Sequence, residues 1–222
     1  MHAFYLHGFA SSPRSSKATY LQERFASHGI GLRCPDFNEP EFETLTITRM
    51  LDALDGEVSR SAPDTVVLIG SSLGGLVAVE AAARWRDASH PLAHLVLLAP
   101  SIEPAWERWD EIGPGGLARW RAAGYIEVFH YAFGERRRLN YSFYEDAVRY
   151  APADVRLDLP VLVFQGTRDA SVEPSSVVRF ADAQPRATLH LLDDEHQLSD
   201  SLPFIWSETA RALSLRVDAA GL

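Results

Sequence analysis

The sequence has a single cysteine, Cys34, among 222 residues, so no disulfide can form within the chain. A lone cysteine is typical of proteins from reducing compartments. Positive charge is also scarce, because 21 lysines and arginines stand against 30 aspartates and glutamates, and the formal net charge is −9. Nucleic acids and anionic membranes attract clustered positive charge, so we expect neither as the main partner.

Long apolar segments and a secretion signal are absent too. No apolar run approaches the roughly 18 residues that span a bilayer. The first residues enter "AFYLHGF" without the basic stretch, apolar core and cleavage site of a signal peptide. We therefore expect a cytoplasmic protein without membrane insertion. With 46% hydrophobic residues, the composition predicts one globular domain over residues 1–222.

Short, nearly continuous apolar runs recur along the chain and predict strands of a parallel sheet, buried on both faces. The runs lie at residues 3–6, 66–69, 95–98, 161–164 and 189–192, with a weaker candidate at 29–34. Helical patterns separate them. One runs from Ile47 to Val58, another from Ala18 to Phe25, and a third from Leu202 to Leu213. The alternation predicts an α/β fold, a three-layer α/β/α sandwich around a mostly parallel sheet.

One segment, residues 101–159, interrupts this alternation. It is far longer than the usual connection of about 2–6 residues. It contains three of the five tryptophans, Trp106, Trp109 and Trp120. Insertions in α/β folds gather at the carboxyl edge of the sheet, where ligands bind, so we expect a cap over a site. A peripheral subdomain with its own small core is the alternative.

A possible nucleophile lies between the second strong strand and a helical run. The stretch Gly70-Ser71-Ser72-Leu73-Gly74 matches G-x-S-x-G only with Ser72 at the centre. By chance roughly one unrelated chain in fifteen would carry such a match, given glycine and serine frequencies near 7%. Its strand–turn–helix context is the specific signal, because such a turn projects the hydroxyl from the sheet edge. A tightly packed glycine turn without chemistry is the bland alternative.

A serine hydroxyl is a weak nucleophile at neutral pH and needs a base, for which histidine is best suited. His196 follows the last predicted strand and can reach over the sheet edge, whereas His190 lies inside that strand. His130 belongs to the insertion. His90 and His94 are separated by Pro91, so they share no helix face and a metal pair is not expected.

The base in turn needs an orienting acid. Asp169 lies in the turn directly after the strand at 161–164, and the order Ser72, Asp169, His196 is the order of nucleophile, acid and base known where G-x-S-x-G forms such a strand–turn–helix. Glu103, Asp193 and Asp194 are rivals, and Asp169 could instead bond its own turn backbone.

An oxyanion hole completes the requirements, since charge develops on the carbonyl oxygen during attack. We expect one backbone N–H donor at Leu73, directly after the serine. The second should come from the loop after the first strand, where Gly8 permits a close turn and Phe9 is the candidate. His7 in this loop is interpreted as architectural rather than catalytic.

The segments "YLHGF", "GSSLGG", "GTRDASV" and "DDEHQL" together resemble the α/β-hydrolase superfamily. The pair "LHGFASSPRSSKA" and "GSSLGG" is similar to the small bacterial YqiA-like serine esterases, and "GYIEVFHYAF" loosely resembles the caps of α/β-hydrolase-domain acyl-thioesterases. The resemblance implies acyl transfer by Ser72, His196 and Asp169, with Phe9 and Leu73 as oxyanion donors. Two strands usually precede the His-Gly loop, which here begins at residue 7, so a trimmed sheet of about six strands is expected.

These observations together predict a hydrolase of small-molecule esters or thioesters with an apolar acyl or aromatic group, and imply no metal or organic cofactor. A specific acyl-protein or acyl-CoA thioesterase, a peptidase, a non-hydrolytic lyase and a ligand-binding protein stay open as alternatives, and so does a homodimer. Arg136–Arg138 form a local positive cluster that could meet an anionic handle on the substrate, although a solvated turn is the commoner explanation.

Overall fold

The structure is a computed structural model that describes residues 1–61, 65–86, 91–104, 106, 112–113 and 115–215. Within these residues the strands are β1 (His2–Leu6), β2 (Leu32–Arg33), β3 (Val66–Ser71), β4 (Leu92–Leu98), β5 (Tyr125–His130), β6 (Glu135–Asn140), β7 (Val161–Gly166) and β8 (Ala187–Leu192). The helices are α1 (Ser16–Ala26), α2 (Ile47–Ser61), α3 (Leu73–Arg84), α4 (Gly116–Ala123), α5 (Ser142–Ala147), α6 (Pro174–Asp182) and α7 (Leu202–Ala212). Short 3-10 helices lie at Phe42–Thr44 and Pro152–Asp154.

Six of the strands form one parallel sheet in the order β2-β1-β3-β4-β7-β8. All five predicted strong strands are members, and the weak candidate becomes the two-residue edge strand β2. The expected sheet of about six strands is therefore confirmed. Parallel strands place all their carboxyl ends at one edge, so the segments that follow β1, β3, β7 and β8 meet there.

Alternating side chains of the strands divide the core into two clusters. Phe4, Leu68 and Leu97 pack on one face against α2, α3 and α6. Tyr5, Ile69 and Leu98 pack on the other face against α1 and α7. Helices on both faces of a parallel sheet give the predicted three-layer sandwich.

The edge strand β8 departs from the prediction of burial on both faces. None of its residues is fully buried, and Leu191 is 52% exposed. Apolar runs also predict strands that are too short. The last residues of β7, Gln165 and Gly166, are polar or small, and yet they pair with β8 and are buried. Apolar content thus marks the middle of the strand, whereas its carboxyl end is built from other residues.

The 101–159 segment contains α4, a β5–β6 hairpin and α5. Continuous apolar runs do not mark the hairpin, but "YIEVFH" alternates, and the even positions of β5, from Ile126 to His130, are buried. Trp120 and Phe143 are fully buried in the same cluster as α2 and α3, so this segment packs directly on the sandwich. Trp109 lies outside the described residues.

Two polar contacts fasten this segment to the sandwich. The buried carboxylate of Asp146 accepts the Thr48 backbone N–H at 2.8 Å and the Thr48 hydroxyl, which satisfies donors in the first turn of α2. His130 Nε2 lies 2.9 Å from Asn38 Oδ1, and the Asn38 amide donates to the Ser11 carbonyl. Burial and the nearby His7 and Arg137 lower the pKa of His130 to about 4, so its imidazole is neutral at pH 7.

The hairpin tip, residues 131–134, reaches the loop after β1, where the Ala132 N–H donates to the Ala10 carbonyl at 3.3 Å. No helix among the described residues is long and apolar enough to cross a membrane.

Asp146→Ala should lower the free energy of unfolding by about 1–2 kcal/mol, because it removes a helix cap and leaves the Thr48 groups without their acceptor. Chemical denaturation measures the change. Asp158→Ala removes an exposed carboxylate from the same segment and should change stability by less than about 0.5 kcal/mol. Equal losses in the two variants would contradict the capping role.

Candidate active site

Ser72 occupies the sharp turn between β3 and α3. Its backbone has φ 53° and ψ −118°, a conformation that costs an L-residue about 1–3 kcal/mol. The Ser72 N–H donates to the Leu98 carbonyl at 3.0 Å, and the Ser72 carbonyl accepts from Gly75 and Ser101. The surrounding backbone therefore imposes the turn, which directs the hydroxyl out of the sheet.

The neighbouring glycines are needed for close packing rather than for their own dihedral angles, since neither has a positive φ. A Cβ at Gly70 would lie 2.4 Å from the Gly74 carbonyl oxygen. A Cβ at Gly74 would lie 2.0 Å from the Leu6 carbonyl oxygen. The two glycines of G-x-S-x-G are thus required because another backbone segment passes close to each of them. The positive φ of the turn belongs to the serine itself.

The structure brings the three predicted polar side chains together. His196 Nε2 lies 3.0 Å from Ser72 Oγ, and His196 Nδ1 lies 2.8 Å from Asp169 Oδ2. An ionised carboxylate can only accept, so Nδ1 carries the proton and Nε2 is left to accept from the serine hydroxyl. The Asp169 side chain is fully buried and that of His196 is 18% exposed.

Asp169 is held by further donors. Its Oδ1 accepts the backbone N–H groups of Ser171 and Val172, each at 2.8 Å. Gln165, a buried residue in β7 that the sequence reading missed, donates its side-chain amide to Oδ2 at 3.0 Å. Burial by itself raises the pKa of Asp169, but His196 and these donors outweigh it and hold the pKa below its ordinary value. Asp169 is therefore ionised near pH 7.

The rival carboxylates have other partners. Glu103 pairs with Arg179 at 2.6 Å, and Asp193 pairs with Arg168 on the surface. Asp194 accepts from the backbone of Glu195 and from the backbone and hydroxyl of Ser201.

The contacts of Asp194 shape the loop that carries His196. Burial raises the pKa of Asp194, but the donors, led by the Ser201 hydroxyl, outweigh it and lower the pKa. The loop also passes close to the end of β7, because a Cβ at Gly166 would lie 2.5 Å from the Asp194 carbonyl oxygen. These constraints fix the position of His196 beside the turn of Asp169.

The loop after β1 packs closely against the turn at Ser72. A Cβ at Gly8 would lie 3.3 Å from both the Ser71 carbonyl oxygen and Ser72 Cβ. His7 is buried, with Nδ1 2.9 Å from the Gly8 carbonyl and Nε2 accepting the Phe37 N–H at 3.0 Å. These partners place its proton on Nδ1 and give His7 a positioning role away from Ser72.

Phe9 and Leu73, the two predicted oxyanion donors, both lie beside Ser72. Phe9 lines the same cleft as Ser72, and its ring packs against Phe42 and Phe143. Leu73 is the first residue of α3, where backbone N–H groups have no partner within the helix.

The remaining histidines have structural surroundings. His190, in β8, stacks on Phe164 of the neighbouring strand β7. His130 is buried and stacks on Phe133 of the hairpin tip. His94 lies in β4, while His90, with which no metal pair is expected, is outside the described residues. In the described part of the chain, no group of three or more histidine, cysteine or carboxylate residues is arranged to bind a metal ion.

A cleft of about 980 Å³ opens over Ser72 and His196. Its walls come from the loop after β1, the first turn of α1 and the hairpin tip, including Tyr131 and Phe133. Arg136–Arg138 lie on exposed positions of β6 and do not contribute to the lining. The cleft is mixed in character, because serines and basic residues share it with the aromatic rings.

Residues 2–210 match the Uncharacterised protein family UPF0227. The chain belongs to this family. The resemblance to YqiA-like proteins is thereby confirmed. No curated protein matches the sequence significantly.

Solved structures with the same architecture cover almost the whole chain. Est1E from Butyrivibrio proteoclasticus, in a structure with ferulic acid, is 19% identical with a TM-score of 0.80, covering 96% of this chain and 88% of its own. Alpha/beta hydrolase domain-containing protein 10 from mouse is 18% identical with a TM-score of 0.73, covering 96% and 89%. A monoacylglycerol lipase of Paleococcus ferrophilus is 14% identical with a TM-score of 0.75, covering 95% and 93%. At such identities the likeness establishes the α/β-hydrolase fold alone.

The strained turn generates a stability prediction. Ser72→Gly should be more stable than Ser72→Ala by about 1 kcal/mol, because glycine adopts a positive φ without the steric cost that alanine retains. The two variants lose the same hydroxyl, so the difference between their denaturation midpoints isolates the backbone term. A glycine variant that is the less stable of the two would contradict the strain.

Proposed function

We propose that this protein is a serine hydrolase that cleaves carboxylic oxyesters or thioesters through an acyl-enzyme. The proposal rests on one observation, the continuous hydrogen-bonded chain from Ser72 through His196 to Asp169. Its direction, from hydroxyl to imidazole to buried carboxylate, is the one that nucleophilic serine chemistry needs.

In the first step Ser72 Oγ attacks the acyl carbonyl while His196 Nε2 accepts the hydroxyl proton. Asp169 keeps the proton of the imidazole on Nδ1 and stabilises the imidazolium that forms. Since the pKa of Asp169 is lowered, the carboxylate stays charged throughout. His196 then protonates the leaving alcohol or thiol as the C–O or C–S bond breaks.

The oxyanion of the tetrahedral intermediate is assigned to the backbone N–H groups of Leu73 and Phe9. Leu73 follows the nucleophile at the start of α3, so its N–H adds the positive end of the helix dipole. The contact of Gly8 with Ser72 brings the Phe9 backbone to the same place. Each such donor contributes on the order of 10²–10³ in rate.

Hydrolysis of the acyl-enzyme follows the same path in reverse. A water molecule gives its proton to His196 Nε2 and attacks the acyl carbon, and the imidazolium returns the proton to Ser72 Oγ as the ester bond breaks. No metal or organic cofactor takes part in these steps.

The cleft suggests the substrate class. Phe9, Tyr131 and Phe133 supply aromatic surface for an apolar acyl or aromatic group. The ferulic acid in the Est1E structure is a small aromatic acid, which agrees with such a cleft. We assign residues 101–159 the role of a cap, since its hairpin tip forms one wall of the cleft over Ser72.

A fluorophosphonate probe tests the nucleophile, because it reacts covalently with activated serines. The wild-type protein and Ser71→Ala should be labelled, whereas Ser72→Ala should not. Ser71 is the matched control, because it is adjacent and buried, whereas the hydrogen bond of His196 goes to Ser72. A folded wild-type protein that is not labelled would favour a ligand-binding protein, and one that is labelled but hydrolyses no ester would favour a lyase.

Asp169→Asn should lower kcat by up to about 10⁴-fold, because an amide no longer fixes the imidazole tautomer. Ester turnover measures the loss, and thermal unfolding verifies that the variant is folded. Asp193→Asn removes an exposed carboxylate near His196 and should leave turnover within about twofold. Turnover near the wild-type level in Asp169→Asn would transfer the acid's role to another carboxylate.

A further inference from the structure

Lys17 is the only lysine in the chain, the other 20 of its 21 basic residues being arginines. It lies in the first turn of α1 and is 6% exposed. It also lines the cleft that contains Ser72 and His196. A buried ammonium at the wall of an active-site cleft is costly unless a charged partner meets it there.

The protein supplies no such partner among its described residues. The charges of Asp169 and Asp194 act on Lys17 through space, but the hydrogen bonds of both carboxylates go to His196, Gln165, Ser201 and backbone N–H groups. Burial lowers the pKa of Lys17 to about 8, against the attraction of the two carboxylates. Lys17 lines the cleft and none of the hydrogen bonds of the described residues involves its side chain, so the three donors of the ammonium are available to a ligand there.

The surroundings of Lys17 favour a negative ligand. Arg14 lines the same wall, and no ion pair among the described residues involves it. The N-terminal turn of α1 adds the positive end of a helix dipole. Within the described lining Asp36 is the one carboxylate, and it accepts from the backbone and amide of Asn38.

We propose that Lys17 and Arg14 form an anion-binding subsite, which recognises a carboxylate or phosphate group carried by the ester or thioester that Ser72 cleaves. This inference rests on the proposed function and adds a charge requirement to it. A protein of net charge −9 repels anionic substrates over most of its surface, so a local pair of cations inside the cleft gives such a substrate a favourable place to bind.

Arg136–Arg138, the cluster that the sequence suggested for an anionic handle, are placed differently. Arg137 pairs with Glu135 and lies over Phe133, while Arg138 lies over Tyr125. Arg136 donates to the Glu127 carbonyl. These side chains interact with the hairpin itself and lie outside the cleft lining, so the anionic handle is assigned to the α1 wall, which Lys17 and Arg14 line.

Matched esters measure the charge requirement. Mono-para-nitrophenyl adipate is para-nitrophenyl hexanoate with a carboxylate at the end of its acyl chain. On the leaving-group side, para-hexanoyloxybenzoate is matched by its neutral benzamide, and para-hexanoyloxyphenyl phosphate tests the phosphate. For each pair, kcat/KM of the anionic ester is divided by kcat/KM of its neutral partner. The pair with the larger ratio identifies on which side of the scissile bond the anion binds and which anion the subsite takes.

In Lys17→Met that ratio should fall at least about tenfold, the usual effect of losing one charge-assisted hydrogen bond. Arg14→Gln, at an exposed position where folding is not at risk, should lower the same ratio. Arg24→Gln removes a positive charge from the far end of α1, outside the cleft, and serves as the control for net charge. A ratio near one in the wild-type protein, or one that Lys17→Met leaves unchanged, overturns the proposal.

A binding measurement separates this inference from the proposed hydrolysis. Because the chain has one lysine, carbon-13 lysine labelling gives a single side-chain signal by NMR. Its titration should give a pKa of about 8, and adipate or inorganic phosphate should shift the signal saturably and raise that pKa, since a bound anion favours the ammonium. If no ester is hydrolysed, the lysine signal still shows whether the subsite binds an anion. A lysine signal that neither anion changes overturns the subsite even when Ser72 proves to be the nucleophile.

Discussion

The first turn of α3 passes so close to β1 that a Cβ at residue 74 would lie 2.0 Å from the Leu6 carbonyl oxygen. This backbone contact makes the loop after β1 and the turn at Ser72 neighbours, and the contact of Gly8 with Ser72 follows from it. The strain at Ser72 persists because packing on both sides leaves the turn no alternative. The position of the hydroxyl is thus a property of the whole sheet edge rather than of one residue.

The fold and the central polar residues could be predicted because each depends on local patterns. Apolar runs mark strands wherever a sheet is covered on both faces, and the carboxyl ends of parallel strands must share one edge. Ser72, Asp169 and His196 each follow a strand of that sheet, so their convergence follows from topology. Asp169 and Asp193 both come just after a strand, and it is their contacts that separate them, because Asp169 bonds His196 whereas Asp193 pairs with Arg168.

The parts that could not be predicted depend on contacts between distant segments. Nothing in the sequence distinguishes Gln165 from other residues of a strand. Its hydrogen bond to Asp169 forms because the turn after β7 folds back towards the end of the strand. Likewise Asp146 meets Thr48 across 98 positions of sequence, and the location of Lys17 in the cleft depends on how α1 packs on the sheet. The misjudged burial of β8 has a similar cause, since an apolar run does not reveal that its strand lies at the edge.

The contact between Ala132 and Ala10 joins the hairpin tip to the segment that follows Phe9. The tip is a surface turn, and turns of this kind accept changes of length and sequence more readily than strands do. Variation there would alter the shape of the cleft and its entrance, while the buried sheet stays the same. A change in one short turn can therefore alter which molecules fit the cleft while the central layer keeps its packing.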